Sequence, residues 1–394
     1  WELGSTLFTL NGGYALVRSG DTAGGLYVSR DLGSGNVATD VIVFYSNADT
    51  AVSAFVALGD ASADYFWRFQ SNAWTQHGSL QALAFGRTGR ELYRGHTTNT
   101  LAKVDTDAAP WTASNWGSAN AFDIGDQTSA IVRLAATPEG TLIVFKTDGL
   151  YSLKPNGDDI ELFPFLRLVP DSNNGKPFAQ WKDNLYLTYG YRTFELSPDL
   201  ELRQCGPELL TTNDSDIRGY ITAMCGTDYA LYALIYNVDD DNSYLGKWDG
   251  TWIEREGKEV PAWHFSLSQA FTGIKGTAMH ASTIGAASNH KRLYMGFDSG
   301  LVAWFTLSCV PNPVACDQYR FNTTDGQVHL PRATFLILND LKGLDAVTVQ
   351  SNTIPAGASV AYNYRSNPTA SFTALGKNFT LVQRERQVQP ECQR

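Results

Sequence analysis

Short apolar runs, most of them rich in β-branched or aromatic residues, alternate along the chain with turns of Gly, Asn, Asp and Ser. Runs of this length suit strands, and the periodicity of an amphipathic helix is hard to find. Leu142–Phe145 and Leu150–Leu153 are the clearest case, because Asp148 and Gly149 lie between them and Gly supplies the positive φ of a tight turn. The pattern therefore predicts an all-β protein built from antiparallel hairpins.

The predicted hairpin recurs at an average spacing of about 46 residues. The dipeptide Leu-Tyr occurs six times, against roughly two expected from the composition. A four-stranded propeller blade takes ~40–50 residues, so the repeat predicts a β-propeller of about seven blades, with six to eight compatible. An array of ordinary β-sandwiches is the alternative. The paired runs, in chain order, are Ala15–Val17 with Leu26–Val28, Phe55–Leu58 with Tyr65–Trp67, Leu92–Tyr93 with Leu101–Val104, Leu142–Phe145 with Leu150–Leu153, Leu185–Leu187 with Thr193–Leu196, Leu231–Leu234 with Tyr244–Trp248, and Leu293–Met295 with Leu301–Trp304.

A single blade cannot bury both faces of its sheet. Ring closure solves this problem, because each blade then packs against two neighbours. We therefore expect apolar strand residues such as Leu187 and Trp304 to lie in blade cores.

The pattern changes after Leu307. Residues 308–327 are rich in Cys, Pro and Asn and are predicted to connect two domains. Closely spaced strand-like runs then predict a small antiparallel β-sandwich over residues 328–385, and the polar residues 386–394 are predicted to form a tail. The propeller accordingly spans residues 1–307. The runs of the predicted sandwich are Thr334–Leu338, Ala346–Val349, Val360–Tyr364, Ser371–Leu375 and Phe379–Val382.

Charge and composition argue against two classes of binding partner, nucleic acids and membranes. The net charge is −10, and only 18% of the residues are charged. An acidic chain repels phosphate backbones, so binding to nucleic acid is not expected. No apolar run approaches the ~20 residues of a membrane-spanning helix, so membrane insertion is not expected either.

Two disulfide bonds are considered among the five cysteines. Cys309 and Cys316 bracket a Pro-rich loop that a disulfide could close. Cys205 and Cys225 could pair across neighbouring strands. The alternative is that all five are free thiols, which behave as small buried apolar side chains.

Two groups of residues are candidates for ligand binding. Asp239, Asp240 and Asp241 lie between two strands of one hairpin, where clustered oxygens can bind Ca²⁺. Their spacing lacks the order of a cation-binding loop, so a solvated hairpin tip is the alternative. Trp111 and Trp116 lie in a Ser- and Asn-rich stretch and could stack on sugar rings, although tryptophans also pack between blades.

No motif for a nucleophile, a phosphate loop, a dinucleotide or a zinc protease occurs, and we predict no catalytic residue and no cofactor. Ser29–Gly33 matches the S-x-D-x-G turn of sialidase-type propellers, but the turn does not recur. The chain is therefore not expected to be an enzyme. A secreted carbohydrate-active enzyme of propeller type, similar to a sialidase or glycosidase, is the main alternative. A glycan-binding adhesin or lectin is the second.

The second half of the chain resembles a divergent class of β-propeller structural and tail proteins of tailed bacteriophages, over about residues 140–385. The resemblance implies a propeller with a C-terminal β-sandwich that serves as a structural subunit of the virion, in the tail or a tail-tip appendage. Its implied partners are other tail subunits, further copies of itself as a homo-oligomer, and a host-surface glycan. The Cys309–Cys316 loop is not typical of that class, which leaves an extracellular protein as the alternative. The matching stretches are Arg218–Ala223, Leu231–Leu234, Tyr244–Lys247, Trp263–His264, Arg292–Gly296, Tyr319–Phe321, Ala346–Val349, Val360–Tyr364 and Phe372–Gly376.

Overall fold

A computed structural model of the chain describes residues 2–3, 6–11, 14–19, 27–32, 38–59, 65–71, 73–96, 99–117, 120–153, 159–168, 171, 173–209, 219–255, 257–265, 271–283, 291–308, 347–350, 360–364, 373–379 and 385–388. Before Asp31 and after Ser308 the description covers the backbone alone. The chain divides into two compact units, residues 1–326 and 327–394. Each is described here by itself.

The first unit consists of antiparallel sheets in which successive strands are neighbours. In the described residues, three short 3-10 helices lie in the connections, Ala113–Trp116, Pro164–Leu168 and Pro207–Leu209. The strands are β1 (Glu2–Leu3), β2 (Thr6–Asn11), β3 (Tyr14–Ser19), β4 (Tyr27–Asp31), β5 (Asp40–Ser46), β6 (Ala51–Ala57), β7 (Tyr65–Gln70), β8 (Ala73–Gln81), β9 (Ala84–Thr88), β10 (Glu91–His96), β11 (Thr100–Asp105), β12 (Ala121–Asp123), β13 (Ile131–Ala136), β14 (Leu142–Lys146), β15 (Gly149–Leu153), β16 (Asp159–Leu162), β17 (Phe178–Trp181), β18 (Asn184–Tyr189), β19 (Arg192–Leu196), β20 (Leu202–Gln204), β21 (Tyr220–Gly226), β22 (Leu231–Asn237), β23 (Asn242–Trp248), β24 (Trp252–Arg255), β25 (Lys258–Pro261), β26 (His264–Phe265), β27 (Phe271–Thr272), β28 (Gly276–Ser282), β29 (Arg292–Phe297) and β30 (Val302–Thr306).

Six sheets between β5 and β30 form the blades of a β-propeller, and the separate pair β24–β25 is inserted between strands of the fifth. Blade 1 contains β5–β8, blade 2 β9–β12, blade 3 β13–β16 and blade 4 β17–β20. Blade 5 contains β21–β23 with the short strands β26 and β27, and blade 6 contains β28–β30. The first strands of neighbouring blades contact one another, β5 with β9, β9 with β13, β17 with β21 and β21 with β28. This adjacency of first strands places them around the propeller channel.

A buried apolar cluster lies between each consecutive pair of these blades. Phe55 of blade 1 and Phe85 of blade 2, for example, have ring centroids 6.0 Å apart. Phe145 of blade 3 shares a cluster with Leu187 of blade 4. Each blade therefore buries the faces of its sheet against its neighbours, as the repeat predicted.

All seven predicted hairpins are present as antiparallel pairs. Six of them supply the second and third strands of the six blades. The seventh, β3 with β4, supplies the third and fourth strands of the four-stranded sheet β1–β4. Six blades fall inside the predicted range but below its central value of about seven.

A β-bulge interrupts the first strand of three blades, at Val132, Thr222 and Thr277. The two threonines make the same hydrogen bond. Thr222 Oγ1 donates to Leu234 O and Thr277 Oγ1 donates to Gly296 O, each at 3.3 Å. The sequence Thr-Ala-Met begins at both positions, so blades 5 and 6 share a local feature that the hairpin spacing alone did not reveal.

The core prediction is confirmed for Leu187 and wrong for Trp304. Leu187 has no exposed surface, whereas half of Trp304 is exposed on β30. The Arg292 guanidinium covers one side of the Trp304 ring, 3.8 Å from its centroid. In the described residues blade 6 has three strands, and Trp304 lies on the strand at its edge, where only one neighbouring strand is available.

The second unit contains two antiparallel pairs in the described residues. The strands are β31 (Val347–Gln350), β32 (Val360–Tyr364), β33 (Thr373–Phe379) and β34 (Glu385–Val388). β31 pairs with β34, and β32 pairs with β33. The predicted run at 360–364 is confirmed, but a single strand, β33, stands where two runs were predicted.

Strand β34 extends into the predicted tail, since backbone pairing with β31 does not require apolar side chains. These two pairs alone do not establish the predicted sandwich. The run at 334–338 and the connection at 308–327, with Cys309, Cys316 and the Tyr319–Phe321 stretch, lie outside the described residues.

Candidate functional site

Three tyrosines from two neighbouring blades lie together at one end of the propeller strands. The Tyr191 and Tyr220 ring centroids are 6.2 Å apart, and those of Tyr220 and Tyr236 are 6.1 Å apart. Lys275, which precedes blade 6, places its Nζ 5.2 Å and 5.6 Å from the Tyr220 and Tyr236 ring centroids. We call these four residues the tyrosine surface.

Tight backbone turns place these side chains. Gly190 adopts a φ of 60° between β18 and β19, and its N–H donates to Asn174 Oδ1 at 2.6 Å. Tyr191 follows at the tip of the turn and is 73% exposed. Gly219 adopts a φ of 144°, and a Cβ on it would lie 2.1 Å from Tyr236 O. Only glycine therefore allows the chain to enter β21 so close to β22 and pair Tyr220 with Tyr236.

Hydrogen bonds hold the polar ends of the surface. Lys275 Nζ donates to the Tyr220 hydroxyl at 3.0 Å, and the Tyr236 hydroxyl donates to Asp241 Oδ1 at 2.7 Å. The bond to Asp241 raises the pKa of Tyr236. Asp298 accepts the backbone N–H of Lys275 at 3.1 Å. The ammonium group of Lys275 has no carboxylate within ion-pair distance among the described residues, so it offers donors to a ligand.

This combination suits binding. Tyrosine presents a flat apolar ring with a polar edge and loses little conformational entropy when it is immobilised. The rings can stack on sugars, while Lys275 and the carboxylates of Asp241 and Asp298 can hydrogen-bond to hydroxyl groups. The surface brings together aromatic rings, a cation and acceptors from three blades.

The structure buries Trp116 and leaves Trp111 partly exposed. Trp116 is 5% exposed, and its indole N–H donates to Pro110 O at 2.8 Å. The Arg68 guanidinium lies 4.4 Å from the Trp111 ring centroid, and the His77 ring lies 4.9 Å from it. Both tryptophans pack in the apolar cluster between blades 1 and 2. This is the packing between blades that was the alternative to sugar binding.

The three aspartates proposed for Ca²⁺ do not converge. Asp240 accepts a hydrogen bond from Asn237 Nδ2 at 2.6 Å, and Asp241 is occupied by Tyr236. The backbone N–H of Asp239 donates to Asn237 Oδ1 at 3.1 Å. Among the described residues, no group of three or more His, Cys, Asp or Glu side chains could hold a metal ion. The hairpin is organised by its own hydrogen bonds.

Cys205 and Cys225 are free thiols, so the possible pairing between them is not formed. Cys205 is buried in the cluster between blades 4 and 5, and burial raises its pKa well above the usual value. Burial also raises the pKa of Cys225, to about 11. Both behave as small apolar side chains, which was the alternative interpretation.

Sequence reasoning missed the tyrosine surface because its members lie far apart in the chain. A signal was present, since Gly190-Tyr191 and Gly219-Tyr220 each place a tyrosine directly after a glycine. In both cases the glycine has positive φ, and the tyrosine follows the sharp turn. In the part of the chain that the structure describes, no helix is long and apolar enough to cross a membrane.

No protein-family model matches the sequence, and no curated protein matches it. Among solved structures, a streptogramin B lyase is similar with a TM-score of 0.50 and 8% identity, over 75% of this chain and 87% of that chain. A catalytically inactive virginiamycin B lyase from Staphylococcus aureus, with quinupristin, gives 0.48 and 8%, over 76% and 94%. A mitotic checkpoint complex gives 0.49 and 9%, over 76% and 87%. At these identities the likeness to the streptogramin B lyase establishes the fold alone, and that fold is a β-propeller.

Proposed function

We propose that the protein is a non-catalytic recognition subunit that binds a host-surface glycan through the tyrosine surface. The observation that carries this proposal is the exposed Tyr191 ring beside Tyr220, with Lys275 and two carboxylates at the rim. Aromatic stacking supplies apolar contact area to a sugar, and the charged rim supplies hydrogen bonds that fix its orientation.

The subunit would belong to a bacteriophage virion, in the tail or a tail-tip appendage, and would assemble with other tail subunits and with copies of itself. This part of the proposal rests on the sequence resemblance of residues 140–385. A rigid propeller with few charged residues suits a multi-subunit particle. Mass determination and imaging of the protein in its native particle test it. A repeated position on a tail supports the assignment, and a free monomer argues against it.

One finer point of architecture belongs to the same proposal. The pairs β31–β34 and β32–β33 would belong to a C-terminal sandwich. An experimental map that shows the two pairs stacked face to face supports this point.

A glycan array tests recognition directly. We expect the full chain to bind a subset of glycans, and Tyr191→Ala and Tyr220→Ala each to weaken that binding by about 2- to 12-fold, since an aromatic contact contributes ~0.5–1.5 kcal/mol. Tyr45→Ala is the matched control, because Tyr45 is an exposed tyrosine on blade 1, away from this surface.

The glycan-array experiment must also distinguish binding of a glycan from its hydrolysis. Equal binding by all four proteins would contradict the role of the tyrosine surface. Release of sugar from the bound glycans would instead favour the carbohydrate-active enzyme, and binding without release favours the recognition subunit.

A further inference from the structure

A cleft of about 250 Å³ opens between the first strands of blades 1 to 4. Ile42, Leu134 and Phe178 supply its apolar walls, and Arg87, Thr137 and Gln180 supply its polar side chains. This volume is smaller than the roughly 300–1,000 Å³ of sites for drug-sized ligands, so it suits a ligand of about ten non-hydrogen atoms.

Arg87 gives the cleft a positive charge that the protein does not neutralise. Its Nη1 donates to Val43 O at 3.2 Å, and no carboxylate lies within ion-pair distance of it among the described residues. The neighbouring acid is already engaged, because Asp40 accepts hydrogen bonds from the Phe85 N–H at 2.9 Å and from Arg133 at 3.4 Å. The remaining guanidinium donors of Arg87 are therefore available to an anion.

The other walls can hold the rest of a small ligand. Thr137 Oγ1 accepts the Thr141 N–H at 3.2 Å, which leaves its own proton to donate. Gln180 is exposed on β17 and carries both a donor and an acceptor. The Phe178 ring is fixed from behind by Phe145, with centroids 5.5 Å apart, so it forms a firm apolar wall.

We propose that this cleft binds a small organic carboxylate. The carboxylate lies on the Arg87 guanidinium, with Gln180 or Thr137 as a second donor, and the apolar part of the ligand packs against Leu134 and Phe178. An arginine fork matches the geometry of a carboxylate and forms charge-assisted hydrogen bonds. The site shares no residue with the tyrosine surface, so the test of this proposal does not depend on whether the protein binds glycans.

Calorimetric titration of the full chain with benzoate, benzamide and inorganic phosphate tests the proposal. Benzoate combines a carboxylate with a flat apolar ring, and benzamide has the same shape without the charge. We expect benzoate to bind, benzamide to bind about 10- to 100-fold more weakly, and phosphate to bind no better than benzamide. Absence of benzoate binding, or equal binding of benzoate and benzamide, would overturn the proposal. Phosphate binding as tight as benzoate would replace it with a bare anion site.

Single substitutions test whether benzoate binds in this cleft. Arg87→Gln is expected to weaken benzoate binding by about 10- to 100-fold, and Gln180→Leu by a smaller factor. Both side chains are exposed, so neither change should unfold the protein. Arg90→Gln is the matched control, because Arg90 lies in the same hairpin but pairs with Asp107 outside the cleft. If Arg87→Gln binds benzoate as tightly as the wild type, the ligand binds elsewhere and the proposed site is wrong.

Discussion

Arg133 of blade 3 reaches past blade 2 to Asp40 of blade 1, with Arg133 Nη1 and Asp40 Oδ1 3.4 Å apart. The other carboxylate oxygen of Asp40 accepts the N–H of Phe85 in blade 2 at 2.9 Å. Arg133 Nε donates to Lys176 O, just before blade 4, at 3.2 Å. One ion pair thus connects four consecutive blades. Burial raises the pKa of Asp40, and the Arg133 charge opposes that shift.

Removing this carboxylate should destabilise the propeller. In Asp40→Ala the Phe85 N–H and the Arg133 charge both lose a partner, and we expect a loss of about 2–4 kcal/mol in the free energy of unfolding. Asp40→Asn retains an oxygen for the Phe85 N–H and should lose less. Urea denaturation of the two variants measures the difference. Equal losses would show that the hydrogen bond to Phe85 contributes little.

The contrast between Leu187 and Trp304 gives a second prediction. Leu187→Asp places a charge where no surface is exposed, and we expect a loss of more than ~4 kcal/mol, enough to unfold most of the chain. Trp304→Asp should cost only ~1 kcal/mol, mainly the lost contact with Arg292. Circular dichroism during thermal unfolding compares the two variants. A folded Leu187→Asp protein would contradict the blade 3 and blade 4 core.

Stability should fall in mild acid. Burial, and then the Arg94 charge, lower the pKa of His96 to about 4, and burial lowers the pKa of His280 to about 3. The unfolded chain protonates both at about 6.5. Their contribution is therefore complete above about pH 6.5 and is lost as the pH falls toward these folded-state values.

Both histidines are partly exposed, so we expect each to contribute less than ~1.4 kcal/mol per pH unit to the slope. Urea denaturation at about pH 7 and about pH 5 measures this slope. His96→Gln should flatten it, because it removes one of the two groups with a lowered pKa. An identical slope in wild type and His96→Gln would contradict the assignment to His96.

Gly219 offers a way to disturb the tyrosine surface without touching a tyrosine. Gly219→Ala forces a Cβ against Tyr236 O at positive φ, so the start of β21 must shift. We expect a loss of about 1–3 kcal/mol in unfolding free energy and weaker glycan binding. Gly78→Ala is the control, since a Cβ at Gly78 meets no atom within 4 Å. Normal binding by Gly219→Ala would show that Tyr220 need not be held in place.

The hairpins could be predicted from the sequence because strand pairing within a hairpin is local, as Leu150–Leu153 shows. The turn itself is formed by Thr147 and Asp148, and Gly149 begins β15 without the positive φ that was expected of it. Burial could not be predicted as well, because it depends on which strand lies at an edge. Trp304 lies in a predicted strand and Trp116 in a Ser- and Asn-rich stretch, yet Trp304 is half exposed and Trp116 is buried.

The candidate site was beyond sequence reasoning for a related reason. Tyr191, Tyr220 and Lys275 come from three different blades, and only the packing of those blades brings them together. The predicted candidates Trp111 and Trp116 were chosen because they are close in sequence. That closeness instead reflects a single loop that closes the core between blades 1 and 2.

The bulges at Thr222 and Thr277 have a consequence for the design of chimeric propellers. An extra residue reverses the in–out phase of a strand, so each bulge resets which side chains meet the neighbouring blade. Because Thr-Ala-Met occupies the same phase in both strands, it marks equivalent splice points. A chimera that exchanges segments at this tripeptide keeps the alternation of both blades, whereas a junction one residue away would turn the apolar side chains of the strand toward the wrong neighbour.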